Sequence, residues 1–267
     1  MAVSLLVLIV AFYAAVATAH FEARRRRERP PTWARALGAI AVVLHFIGLY
    51  WLGAERGRSP FSTGAEALSF LAFSIAAVYL VLAARSRVWT HGGSFYGLAT
   101  LLVALSIPGL VGAVPSGMDQ TGRHAMRTWH IGLGLLSTAA VLVCGLLAAG
   151  YLGSYFRAKR RELHAGTQGL SLSSFARLTR DASLTSVVLL GGSVGLGVHL
   201  AVQDDAPRGL AALTGISAGV LFIFLVAFLI WWRRPVRGAL AAWLNVAGVV
   251  LMIVALVVVH PLVIGGN

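Results

Sequence analysis

Cysteine occurs once in the 267-residue sequence, at Cys144. A disulfide within the chain, a CxxC redox pair and a CxxCH haem-attachment motif are therefore excluded, and any cofactor must be held without a thioether link. Charge is also scarce: 12% of residues are Asp, Glu, Lys or Arg and 58% are hydrophobic, against about 25% and 45–50% in a soluble domain. The mean hydropathy is +0.82, which leaves almost no sequence for a soluble domain. The apolar stretches do not alternate with polar residues as barrel strands do.

What is present is a series of long apolar runs. Crossing about 30 Å of hydrocarbon takes roughly 17–25 residues, and eight runs qualify: 2–20, 36–53, 64–84, 95–114, 128–153, 184–201, 210–232 and 239–260. The reading is an all-α, polytopic membrane bundle of eight transmembrane helices, one integral membrane domain over 1–267. The first run ends in Ala17-Thr18-Ala19, as a signal-peptide cleavage site can. It lacks a basic leader and is followed by Arg24–Arg27, so it reads as an uncleaved helix.

The net charge of +13 resolves into a topology signal. Seventeen Lys and Arg fall in one alternating set of connections (24–35, 85–87, 157–180 and 233–237). The other set holds Arg56, Arg58, Arg123, Arg127 and Arg208. By the positive-inside rule the basic set is cytoplasmic and both termini lie outside, with no nucleic acid implied. The stretches RRRRER and RAKRRELH can also meet anionic lipid head groups. The longest connection, 156–183, reads as a basic cytoplasmic loop with a short amphipathic excursion along the membrane surface.

Small residues cluster on two runs: Gly191, Gly192, Ser193, Gly195 and Gly197 on the sixth, and Gly132, Gly134, Ser137 and Gly145 on the fifth. Such faces let helices approach closely, or let a flat cofactor lie against backbone. Trp51, Trp129, Trp243 and Tyr50 stand near helix ends and read as interfacial belt residues.

Eight histidines complete the inventory. His20, His91 and His164 fall at basic helix ends and read as solvated or lipid-facing. His124, His130, His199 and His260 all map to the outer side, and His45 lies about 14 Å into the second helix, near mid-membrane. An ionisable group at that depth is paired or used. Imidazoles on facing helices can ligate a haem iron from both sides, with His130 and His260 the metal ligands and His199 and His45 further cofactor contacts. Zinc can also use three histidines, but Glu66 is the one carboxylate placed within the bundle as a base, so haem is preferred. Arg123 and Arg127 suit haem propionates by their fork geometry, or alternatively lipid head groups.

The segment WHIGLGLLSTAAVLVCGLLAAGYL (129–152) resembles the signature helix of the membrane haem-handling proteins of cytochrome c assembly, the CcsA, ResC and CcmC group. LHFIGLYW (44–51), FSTGAEALSFLAF (61–73) and RGALAAWLNVAGVVLMIVAL (237–256) resemble segments of its smaller HemX- and YpjD-like branch. That resemblance implies haem contact at His130 and a second outer ligand at His260. The family's tryptophan-rich outer platform is missing, since only QDDAPRG separates the sixth and seventh runs. Its inner histidine near the end of the seventh helix is also missing, where LIWWRRPVRG stands.

The expectation is a non-enzymatic, multi-pass protein of the bacterial inner membrane that binds haem b non-covalently and acts in haem handling or cytochrome c maturation. Its partners would be the bilayer, haem, and cytochrome c maturation proteins or a cytoplasmic tetrapyrrole enzyme. Two alternatives stand beside it: a haem-free scaffold or regulator, for example of tetrapyrrole synthesis, and a bis-histidine cytochrome b carrying electrons.

Overall fold

The computed structural model describes residues 2–26, 28–57, 63–85, 91–111, 122–160, 171–203, 208–233 and 237–255, with residues 2, 85, 122–128, 203 and 208–213 described for backbone alone. The described residues form eight α-helices and no strand: α1 (Ala2–Arg26), α2 (Thr32–Arg56), α3 (Gly64–Arg85), α4 (Gly92–Val111), α5 (Gly122–Lys159), α6 (Leu172–Gln203), α7 (Arg208–Arg233) and α8 (Gly238–Val254). Seven are long and apolar enough to cross a membrane, and α8 is a shorter apolar helix over its described length. The chain is a multi-pass membrane protein. In hydrocarbon every backbone N–H and C=O must be paired within the chain, which the helices achieve internally.

Helices extend further into the polar 156–183 segment than hydropathy alone indicates. α5 runs to Lys159 and α6 starts at Leu172. Hydropathy marks where hydrocarbon ends, whereas a helix continues as long as its hydrogen bonds hold, and Ser171 gives α6 a firm start. Its Oγ accepts from the Ser174 N–H at 3.1 Å, the usual role of a serine N-cap.

The described residues form two compact units, one holding α1 to α4 and one holding α5 from Trp129 onward with α6 to α8. In the first, α1 packs against α2 and α4, and α3 packs mainly against α4. The buried positions repeat at alternating steps of three and four. On α1 they are Leu6, Ile9, Tyr13, Val16, His20 and Ala23; on α2, Ala34, Gly38, Ala41, His45, Gly48 and Leu52. This spacing is that of left-handed helix packing. Small residues on the α2 stripe allow close approach, since a Cβ at Gly38 would overlap the Tyr96 hydroxyl on α4.

One end of this unit is closed by polar contacts. Gly57 ends α2 in the left-handed conformation at φ 60°. Thr63 and Glu66 form a capping box at the start of α3: the Glu66 N–H donates to Thr63 Oγ1 at 3.2 Å and the Thr63 N–H donates to Glu66 Oε2 at 3.0 Å. Arg56 Nη1 donates to Glu66 Oε1 at 2.5 Å, and Nη2 donates to the Leu110 carbonyl at 2.7 Å. That carbonyl lies in the last turn of α4, where helical acceptors run out. Glu66, 1% exposed, is thus a structural partner that joins three helix ends.

In the second unit α6 packs on α7 and α7 on α8, around Val141, Cys144, Leu190, Val220, Phe224 and Met252. Gly145 of α5 closes on Val249 of α8, and Gly134 closes on Ser193 of α6. Ser183 on α6 spans the interior, its Oγ 3.3 Å from both the Phe224 carbonyl on α7 and Asn245 Oδ1 on α8. Such contacts average about 0.6 kcal/mol in membrane bundles.

Removing one member of the Arg56–Glu66 pair leaves a buried charge uncompensated. Arg56→Met is expected to cost about 3–5 kcal/mol. The double variant Arg56→Met/Glu66→Leu is expected to recover a large part of that loss, as read by thermal unfolding in detergent.

Candidate functional site

Two histidine environments emerge, one in each unit. In the first, His45 is fully buried and both ring nitrogens are engaged. Nδ1 is 3.1 Å from the Tyr13 hydroxyl on α1, and Nε2 is 3.0 Å from Ser69 Oγ on α3. A neutral imidazole has one N–H donor and one acceptor nitrogen, and the two hydroxyls can complement either tautomer. This satisfies an otherwise costly mid-helix polar group and leaves no nitrogen for iron. The expected mid-membrane ligand therefore stands as a three-helix tie.

An aromatic cluster continues from it. Tyr13 and Tyr96 have ring centroids 5.6 Å apart, Tyr96 and Tyr79 5.1 Å, Tyr96 and His20 5.9 Å, and His20 and Tyr79 6.0 Å. His20, expected to be solvated or lipid-facing, is instead 2% exposed. It sits seven residues after Tyr13 on the α1 stripe, so register overrides its position near a basic helix end. The sequence signal that finds it is the 3–4 repeat, not proximity to Arg24. Gly92 of α4 makes room, because a Cβ there would overlap both His20 Nδ1 and Tyr79 Oη. The buried Tyr96 hydroxyl has no hydrogen-bond partner among the described residues.

In the second unit, His130 is the second described side chain of α5, after Trp129. Its ring is hydrogen-bonded to the Ser193 backbone on α6. Nδ1 is buried with no partner among the described residues. The ring rests on Gly197, where a Cβ would stand 2.8 Å from His130 Cε1. A buried ring nitrogen without a hydrogen-bond partner makes His130 a candidate metal contact.

The remaining predicted residues separate from this ring. His199 is exposed and two positions beyond Gly197, a rotation of about 200° around α6. It therefore faces away from the side that meets His130, and the two rings do not form a sandwich. Arg123, His124 and Arg127 lie on the first turns of α5, where side chains are outside the description, and His260 lies outside the described residues. No three His, Cys, Asp or Glu residues gather as a metal group among the described residues. The small-residue faces of α5 and α6 meet each other, with Gly134 against Ser193 and Gly192 against Leu133. A macrocycle does not fit between the helices at that level. The residues fit one axial contact, at His130, on the helix end beyond Gly134.

No protein-family model matches the chain. It is similar to the cytochrome c biogenesis protein CcsA of Synechococcus elongatus and to that of a second Synechococcus strain. Each is 27% identical over 227 residues, covering 74% of this chain and 67% of the relative.

The two environments respond differently to substitution. Tyr13→Phe removes a partner of His45 in a dry interior and is expected to cost about 1–3 kcal/mol. His199→Ala, at an exposed position, is expected to leave the unfolding midpoint in detergent unchanged.

Proposed function

We propose that the chain is an inner-membrane, haem-binding protein of cytochrome c biogenesis, of the cytochrome c assembly family and its HemX-like branch, with His130 as an axial contact to a non-covalent haem b. One observation carries this reading: an imidazole whose ring rests on Gly197 of α6 while its buried Nδ1 has no hydrogen-bond partner among the described residues. The similarity to CcsA supports the biological setting. In this reading both termini are outside and the chain makes eight spans, with His260 supplying the second ligand and Arg123 and Arg127 meeting the propionates.

The protein acts by holding and presenting, not as an enzyme. When bound, haem supplies an iron whose redox poise follows its ligands and their surroundings. Gly197 positions the His130 ring by leaving room for its edge. Cytochrome c maturation proteins are the partners this reading implies, and the basic segment between α5 and α6 is a surface for a cytoplasmic tetrapyrrole enzyme. The electron-carrier alternative is weakened by the two hydrogen bonds that occupy His45.

Purified full-length protein loaded with haem is expected to show a Soret band that is lost in His130→Ala and kept in His199→Ala. Gly197→Ala places a methyl against the ring and is expected to weaken loading roughly tenfold, as disturbed ligand supports do. Absence of any band after loading would favour the haem-free scaffold and end the haem assignment.

A further inference from the structure

A second, chemically different site lies in the same unit, at the helix end bearing the basic residues. Tyr151 of α5, Leu172, Ser173, Ala176, Arg177 and Arg180 of α6, and Trp231 of α7 enclose a cleft of about 470 Å³. On α6 these positions fall on one face, stepping by one, three, one and three residues. The N-terminus of α6 opens into it. Ser171 caps the Ser174 N–H, which leaves the N–H groups of Leu172 and Ser173 without acceptors inside the helix. A helix N-terminus and two guanidinium groups together favour an anion. Asp181 accepts from Arg180 Nε and Nη2 at 3.2 and 3.1 Å and so engages part of one guanidinium; Arg177 adds a second cation.

An independent observation points to a ligand. Trp231 is 4% exposed, yet its indole Nε1 has no hydrogen-bond partner among the described residues. Buried indole N–H groups ordinarily find one. The far edge of the ring, Cζ3 and Cη2, lies against Gly238, and Tyr151 packs edge-on at 5.1 Å. Nε1 is on the opposite edge of the indole from Cζ3, so it turns away from Gly238, in a residue that lines the cleft.

We propose that this cleft binds the phosphodiester headgroup of an anionic phospholipid. Arg177, Arg180 and the first N–H groups of α6 take the phosphate, the Trp231 N–H donates to a headgroup or ester oxygen, and Tyr151, Leu172 and Ala176 cover the glycerol and first acyl carbons. The mixed lining selects an amphiphile over a free anion. The site stands just before the apolar run at 184–201 begins, with Phe156, Leu184 and Trp232 of the flanking helices exposed; these surfaces suit acyl chains.

The test is native mass spectrometry of the delipidated full-length protein in dodecyl maltoside, titrated with phosphatidylglycerol or phosphatidylcholine. One phosphatidylglycerol per chain is expected to persist, with phosphatidylcholine lost. Arg177→Gln/Arg180→Gln is expected to weaken binding about thirtyfold. Arg24→Gln/Arg29→Gln, which removes the same charge from exposed positions in the other unit, is expected to keep the wild-type affinity. Trp231→Phe keeps an aromatic ring but removes the donor, and is expected to weaken binding about fivefold; should its melting curve show misfolding, the arginine pair decides. Equal losses in the two arginine doubles, equal retention of both lipids, or displacement by millimolar inorganic phosphate would each overturn the proposal.

Discussion

Between helices in lipid there is little hydrophobic drive, because acyl chains are as apolar as leucine; contact has to come from close packing and from polar groups that have nowhere else to go. This constraint organises the whole chain. Each described helix carries one stripe of buried positions at steps of three and four, and small residues on it bring backbones together. Polar side chains on the stripe are forced to pair across helices. Ser183 meeting the Phe224 carbonyl and Asn245, and His45 meeting Tyr13 and Ser69, are the same solution in the two units.

The stripe also decides what each histidine can do. His20 and His45 continue the stripes of α1 and α2 and are enclosed. His130 stands seven residues before Ser137, which is seven before Cys144 and fourteen before Tyr151, all buried on α5. It is therefore carried onto Gly197 of α6. His199 falls off the α6 series of Ser186, Ser193 and Leu200 by one position, and that step turns its ring outward. Histidines that share a membrane depth by hydropathy are thus sorted by helical phase into structural ties, one candidate ligand and one exposed ring.

Much of the architecture was legible because span length and hydropathy report directly on hydrocarbon thickness. The helical class, the approximate spans and the close approach promised by glycines at 134, 145 and 197 all follow from local composition. The site was less legible, because depth is a one-dimensional property whereas a ligand pair requires phase. Grouping His130 with His199 used depth alone. The burial of His20 was hidden by its basic neighbours, although its seven-residue spacing from Tyr13 marked it. The roles of Arg56 and Glu66 needed three helix ends at once, and no single window contains them.

The contrast between His45 and His130 bears most on function. Both are imidazoles on buried stripes, with dry surroundings that penalise an unpaired polar atom. At His45 the surrounding helices supply two hydroxyls and close the account. At His130 the neighbouring helix supplies a single carbonyl, and the facing residue is a glycine with nothing to offer Nδ1. Any side chain at 197 would bring its Cβ to 2.8 Å from His130 Cε1, so that position cannot offer the ring a hydroxyl as Ser69 does for His45. Among the described residues the interior pairs Glu66, Ser183 and His45 but leaves Tyr96 Oη, Thr179 Oγ1, Trp231 Nε1, Asn245 Nδ2 and His130 Nδ1 unmatched; of these, a neutral imidazole nitrogen is the best donor to a metal.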